Sequence, residues 1–307
     1  MGFSTITFVF FFFPITVLGN ICIEKLTKST RTRNVYLILI SLIFYWFGAE
    51  KSDITLILFL VVFNYFLGYL LRNSQSKNIL SFGVIINVVI LFYFKYPQQI
   101  FSVLGNMNNG INVVMPLGIS FIIFHCISYL VDTYSEDTEN KDAAIVINQH
   151  THNEWDQFIN ASLYILFFPK LLQGPITRYK DFSQYLSDRN TNLDSISIGL
   201  EKFIIGLSKK VLLADELNVI LTDIGVSLNI DSGTAWLMVI VYGLRIYFDF
   251  AGYSDMALGI AQMFGIYLPK NFDKPYLSSS VTEFWNRWHM SLGNWLKHMP
   301  SIIMVIY

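Results

Sequence analysis

Ile54-Thr55-Leu56-Ile57-Leu58-Phe59-Leu60-Val61-Val62-Phe63-Asn64-Tyr65-Phe66-Leu67-Gly68-Tyr69-Leu70-Leu71 carries no charge anywhere along its length. As a helix rising about 1.5 Å per residue, such a run nearly crosses the roughly 30 Å of hydrocarbon in a bilayer. Working outward from it, similar stretches recur: Phe3 to Ile23, Val35 to Ala49, Ile79 to Tyr96, Val113 to Tyr134, Ala161 to Ile176, Ile198 to Leu213, and Thr234 to Phe250. Met256 to Leu268 is shorter and reads as half buried in protein. Of 307 residues, 53% are hydrophobic and 14% charged, with 27 Phe and 17 Tyr. A water-soluble core of this size would not hide that much apolar surface, and the mean hydropathy of +0.48 agrees. The expected class is all-α, a polytopic helical membrane protein.

Charge narrows the function. Twenty-one basic against 22 acidic residues leave no field of the kind that binds nucleic acid. Cys22 and Cys126, far apart in apolar surroundings, argue against a disulfide framework or a cysteine metal site. Phe8 to Phe13 lacks the basic lead and small-residue cleavage pattern of a secretory signal and reads as a retained first span. Lys25, Lys28, Arg31 and Arg33 in the first loop, with Arg72 and Lys77 in the third, place those loops in the cytoplasm and the amino terminus and Glu50 to Asp53 outside. Gln98 to Asn112 suits an external loop, and the acidic Ser135 to Asn160 falls on the cytoplasmic side. His150-x-His152 invites a metal reading, but with no third ligand in view a solvated loop is the better reading, and no metal is expected.

Chemistry concentrates later in the chain. Pro116-Leu117-Gly118-Ile119-Ser120 opens a span containing His125, which is either a packing histidine or part of a polar tunnel. Two prolines and a glycine within Phe167 to Ile176 predict a broken or re-entrant segment, with a simple kink as the alternative. Ile246 to Ala257 sets Asp249, Tyr253, Ser254 and Asp255 between apolar runs, with Gly252 allowing a break. Arg245, Lys270 and Arg287 are the candidate partners of the two carboxylates, whose role is either scaffolding or chemistry. Ser280 followed by Glu283 fits a capping box. A helix from there would put Trp285, Trp288, Leu292 and Trp295 on one aromatic face suited to a membrane interface, with His289 either an interfacial polar residue or a functional one.

Tyr247-Phe248-Asp249-Phe250-x-Gly252-Tyr253-Ser254-Asp255-Met256-Ala257, then Leu268-Pro269-x-Asn271-Phe272 and Pro275-Tyr276, then Phe284-Trp285-x-Arg287-Trp288-His289-x-Ser291-Leu292, form an ordered signature. Together with Pro116 to Phe121 and Phe168-Pro169…Gly174-Pro175-Ile176, it resembles the membrane-bound O-acyltransferase family, in its alginate O-acetylase and D-alanyl transfer branch. The resemblance covers nearly the whole chain. It implies spans and broken segments around a central tunnel, in one domain over residues 1–307, in a multi-pass protein of the inner (plasma) membrane. It also implies an acyl donor such as acetyl-CoA or a carrier-protein thioester, with no bound cofactor, and a polysaccharide acceptor outside. A donor-loading or extracytoplasmic partner protein often cooperates in this family. His289 is then the general base, a role that needs a pKa near the working pH. Asp249, Tyr253, Asp255, Trp285, Arg287, Trp288 and His125 would line or support the tunnel.

Two departures stand out. Asn286 occupies a position where acetylase-like members often carry a second basic residue. The family also continues into a glycine-rich segment and later spans with a second catalytic histidine, whereas here His298-Met299-Pro300 follows Leu296-Lys297. A chain truncated or frameshifted after about residue 297 is therefore expected, and His298, at the end of the same helix as His289, is not expected to stand in for the missing histidine. The expected function is O-acetylation of a cell-envelope or secreted polysaccharide, with an inactive remnant or membrane scaffold as the alternative. A transporter or channel rests only on polytopy and buried polar groups.

Overall fold

The computed structural model describes residues 2–27, 29–97, 114–139, 153–187, 189–225 and 231–298. All regular structure among these is helical. The α-helices are α1 (Phe13–Thr27), α2 (Thr30–Trp46), α3 (Lys51–Ser74), α4 (Lys77–Lys95), α5 (Ile119–Glu139), α6 (Glu154–Leu166), α7 (Phe168–Leu171), α8 (Tyr179–Ser187), α9 (Leu193–Ser208), α10 (Asp215–Gly225), α11 (Ser232–Met263), α12 (Val281–Arg287) and α13 (Met290–His298). Phe8–Phe12 leads into α1, and Lys209–Ala214 joins α9 to α10, both in π-helical geometry. Gln98 to Asn112, His150 and His152, and the residues after His298 lie outside the described residues.

Four helical stretches are long and apolar enough to cross a membrane: Phe8–Thr27, Ser52–Ser74, Lys77–Lys95 and Ser232–Met263. Their outward faces are apolar. On α3, Leu58, Phe59, Val62 and Phe66 are exposed, and on α11 so are Trp236, Val239 and Ile240. Stripes of this kind are found against lipid and not on soluble monomers.

The chain divides into two compact units. The first comprises Met1–Ile21, Gln173–Pro175 and Asn190–Gly293. Its centre is the antiparallel pair α9 and α11. Gly199 meets Gly259 and Gly206 meets Gly252, so the glycines of each helix recur every seven residues while the pairing runs in opposite directions. A Cβ on Gly206 would lie 2.6 Å from the Gly252 carbonyl oxygen, and one on Gly252 would lie 2.8 Å from that of Gly206. Small residues let two backbones approach this closely in lipid. Phe13 stacks on Phe203 of α9, with Phe8 tilted against the same ring, and Phe3 stacks on Tyr253 of α11.

Gly252 therefore serves close packing. The break expected there is absent, and the two spans read as Thr234 to Phe250 and Met256 to Leu268 are one helix of 32 residues. It starts at Asp231, whose carboxylate accepts from the Thr234 amide at 2.7 Å.

The second unit comprises Cys22–Leu172, Ile176–Arg189 and Asn294–Tyr307. The hairpin of α3 and α4 is tied by Asn64 and Asn87, both fully buried: the Asn87 amide donates to Asn64 Oδ1 at 2.8 Å, and Asn64 returns a bond at 3.3 Å. Helix α5 packs on both, and it begins after Gly118 at φ +72°, where any Cβ would strike the Leu171 carbonyl. The Phe167–Ile176 segment is broken, as its prolines predict: α6 ends at Leu166, α7 makes a single turn, and extended chain follows. Within it Lys170 is fully buried, its ammonium over the rings of Tyr164 at 3.9 Å and Phe182 at 4.1 Å.

Candidate active site

The single amphipathic helix expected from Ser280 to Trp295 does not form. Ser280 does cap a helix, its hydroxyl accepting from the Glu283 amide at 3.1 Å, while the Glu283 carboxylate reaches back to the amide and hydroxyl of Ser279. But α12 ends at Arg287, Trp288 is extended, and His289 takes the left-handed conformation at φ +47° before α13 begins. Left-handed backbone is uncommon for a residue with a Cβ, and at a polar side chain it marks a constrained site.

The constraint comes from the preceding turn. Met290 N–H donates to the Asn271 carbonyl at 2.9 Å, and Asp273 N–H donates to the Arg287 carbonyl at 3.0 Å. These two bonds clip the break between α12 and α13 onto the Leu268-Pro269-x-Asn271-Phe272 segment. The break also scatters the expected aromatic face. Trp285 is exposed, whereas Trp295, which belongs to the second unit, is buried there against Phe124 of that same unit. Trp288 sits between Phe272 at 5.1 Å and Phe284 at 5.5 Å, with Tyr247 and Tyr276 around it.

His289 itself stands edge-on to Phe250 of α11, ring centroids 4.8 Å apart. Its Nδ1 is buried without a hydrogen-bond partner. Burial pushes the imidazole down to about 4, so the ring is neutral at physiological pH. Asn271, 1% exposed, likewise has both side-chain amide atoms buried and unpartnered, and so does the Ser254 hydroxyl, one turn along α11 from Phe250. The unit thus holds a neutral histidine and spare polar capacity against an apolar wall. The imidazole's value of about 4 falls below the near-neutral one that the general-base role calls for, so the ring offers a free but weakly basic lone pair.

The carboxylates of α11 are committed elsewhere. Asp255 pairs with Lys209 at 2.5 Å, and Asp249 with Lys210 at 2.8 Å, where Lys210 also reaches Asp215 at 2.7 Å. Arg287 pairs with Glu283 at 2.6 Å. None of the three cations expected beside Asp249 and Asp255 serves them. The π-helical stretch supplies the lysines instead, and no carboxylate pairs with His289 among the described residues. Tyr253 is half-buried and stacks on Phe3. His125 belongs to the other unit, fully buried and edge-on to Tyr164 at 5.5 Å. Among the described residues no cluster of three metal-ligating side chains occurs.

Lys209 and Lys210 were not singled out by sequence reasoning, and Asn271 entered only as part of the ordered signature, without a role of its own. The signal for the lysines was present: Lys202 and Lys209 stand seven apart, like Gly199 and Gly206, and Lys202 reaches Gln262 of α11 at 2.6 Å.

A family model described as "MBOAT, membrane-bound O-acyltransferase family" matches residues 42–299. The chain is 36% identical to "Probable alginate O-acetylase AlgI" of Pseudomonas syringae pv. tomato, over 97% of this chain and 56% of that protein. It is 33% identical to "Peptidoglycan O-acetyltransferase" of Helicobacter pylori, over 96% of this chain and 60% of that protein. To "Teichoic acid D-alanyltransferase" of Streptococcus thermophilus it is 29% identical, over 84% and 60%. The chain thus spans little more than half the length of the curated relatives it matches.

Proposed function

This chain belongs to the membrane-bound O-acyltransferase family, and from that membership we propose that it takes part in O-acetylation of a cell-envelope or secreted polysaccharide, with His289 as general base. The observation that carries the reading is the clipped, left-handed break that presents His289, neutral and with an unpartnered Nδ1, against Phe250. Relatives named for acetylation of alginate and of peptidoglycan supply the acceptor class.

In the proposed reaction the donor is a thioester, acetyl-CoA or a carrier-protein conjugate. An acceptor hydroxyl gives its proton to the imidazole as its oxygen bonds to the thioester carbonyl carbon. The carbon–sulfur bond then breaks as the carbonyl re-forms, and the imidazolium returns the proton to the departing thiolate. An ester and a free thiol result. The neutral resting state of His289 leaves its lone pair free for the first step, and bound substrate would have to raise its basicity from about 4 towards the working pH. The protein would act in the plasma membrane, with a donor-loading or extracytoplasmic partner.

The test is acetyl ester on the cell's polysaccharide in a strain lacking the gene, complemented with wild type or with His289→Ala. Restoration by wild type alone supports the reading. Equal restoration by His289→Ala overturns the role of His289, and full ester in the deletion strain overturns the function.

A further inference from the structure

On α11, Trp236, Ile240, Gly243, Tyr247 and Phe250 follow at spacings of three and four and share one face. That face is open at its start, where Trp236 and Ile240 are exposed. From Gly243 on, the chain after the helix covers it. The Tyr276 hydroxyl donates to the Gly243 carbonyl at 2.9 Å, and Phe272, Tyr276 and Trp288 meet Tyr247 at 5.7, 5.4 and 6.1 Å. Distance along α11 gives these contacts a depth. No charge occurs from Ser232 to Leu244, and Arg245, Asp249 and Asp255 follow. At about 1.5 Å per residue, Gly243 stands roughly 17 Å and Phe250 roughly 27 Å from the start of the helix, against roughly 30 Å of hydrocarbon. The Asp249–Lys210 and Asp255–Lys209 pairs thus stand where a span beginning at Asp231 leaves the apolar layer. The segment from Phe272 to Trp288 packs just inside that level.

The outer surface of this segment is amphipathic. Leu277, Val281 and Trp285, four residues apart, are 73%, 74% and 61% exposed. Ser279, Glu283 and Arg287 alternate with them and satisfy one another. The Ser279 amide and hydroxyl donate to Glu283 Oε2 at 2.8 and 2.7 Å, and Arg287 pairs with Glu283 Oε1 at 2.6 Å. Within α12, helical geometry sets Val281 and Trp285 opposite Glu283 and Arg287. Lys270 and Lys274, with Asp273 between them, are exposed in the chain that leads into the apolar row. An apolar row ending in tryptophan and approached by lysines is the composition of a helix lying in the plane of a membrane surface.

We propose that α12 and the chain leading into it lie in the headgroup–acyl boundary of the bilayer, with Leu277, Val281 and Trp285 among the acyl chains and Lys270 and Lys274 among the lipid phosphates. Continuity names the occupant: the face of α11 that this segment caps is open to lipid at Trp236 and Ile240. Depth agrees, because the contacts at Gly243, Tyr247 and Phe250 fall in the last third of the crossing. The break that carries His289, bonded to Phe250 only through ring contact, is then an element of the membrane boundary.

The test uses the full chain with Cys22→Ser, which leaves the fully buried Cys126 as its native cysteine, in nanodiscs of phosphatidylcholine and phosphatidylglycerol. Single cysteines replacing Leu277, Val281, Glu283 or Trp285 carry a nitroxide. Power saturation then compares collisions with oxygen, which concentrates among acyl chains, and with a nickel chelate, which stays in water. The oxygen-to-nickel ratio at 277, 281 and 285 should be about threefold that at 283. A second reading needs no introduced cysteine: lipids brominated high on the acyl chain should quench a component of the wild-type tryptophan fluorescence that Trp285→Phe lacks. The proposal is overturned if the labels at 277, 281 and 285 meet the nickel chelate as the label at 283 does, which marks a water-facing row. It is overturned equally if neither reagent reaches them, which marks a row covered by protein.

Discussion

His289 and Phe250 meet edge to face, ring centroids 4.8 Å apart at 85°. The contact walls the imidazole from water on that side, and burial holds it neutral to about pH 4. In the proposed reaction, acetyl transfer should therefore stay level from pH 8 down to about 5 and fail only below. Phe250→Ala admits water, so the acid limb of its pH–rate profile should move up towards the ordinary histidine value of about 6.5. An unmoved limb would show that Phe250 does not set the titration.

The same depression has a stability sign. Between about pH 6.5 and 4 the unfolded chain binds a proton at this histidine and the folded chain does not, so stability should decline as pH falls through that window. His289→Asn removes the titration, keeps a residue that tolerates left-handed backbone, and should flatten that part of the curve. His289→Val, β-branched at φ +47°, should cost about 1–3 kcal/mol more than Asn in thermal unfolding.

Asn271 offers a separation of roles. Its carbonyl clips Met290 while its buried side-chain amide has no protein partner. Removing an unsatisfied buried amide in favour of an apolar group of similar shape is near neutral or stabilising. Asn271→Leu should hold or raise the unfolding midpoint and lower the turnover rate if the amide serves substrate. Loss of both midpoint and rate would assign the side chain a structural role instead.

Gly206 and Gly252 predict a steric cost. Gly206→Ala or Gly252→Ala places a Cβ under 3 Å from the facing carbonyl and should destabilise by about 1–3 kcal/mol as α9 and α11 are forced apart. Gly225→Ala, with nothing within 4 Å of the new carbon, is the matched control and should be neutral or slightly stabilising in the same denaturation series.

The reciprocal amides of Asn64 and Asn87 should couple strongly. Asn64→Leu alone strands a buried partner and should cost about 1–3 kcal/mol, while the double change to Leu should recover most of it. A double-mutant cycle on the unfolding midpoint measures that recovery, and simple additivity would rule out the pairing as the tie between α3 and α4.

What could be read without coordinates follows the physics. Hydrophobic runs locate most spans because lipid demands one property along a whole helix, and the prolines of Phe167 to Ile176 forecast the broken segment because they remove amide donors locally. Gly252 misled because a glycine that breaks a helix and one that admits a neighbour look alike in sequence; only Gly206 opposite distinguishes them. The interruption at Trp288-His289 was hidden for a related reason. Its cause is a pair of hydrogen bonds to residues 271 and 273, and helical spacing within 280–295 carries no trace of them. Asp249 and Asp255 were correctly marked as needing partners, but adjacent lysines on a helix of ordinary pitch would not be chosen to serve carboxylates six residues apart.

That pitch has a genetic corollary. A π-helical stretch such as Lys209–Ala214 holds about one residue more than the α-helix it interrupts. Deleting a single codon within it should let the chain wind straight from α9 into α10 as ordinary α-helix, with α10 close to its present register. Within the stretch, however, Lys209 and Lys210 could no longer face Asp255 and Asp249 together, so such a deletion should keep the helices and lose these ion pairs.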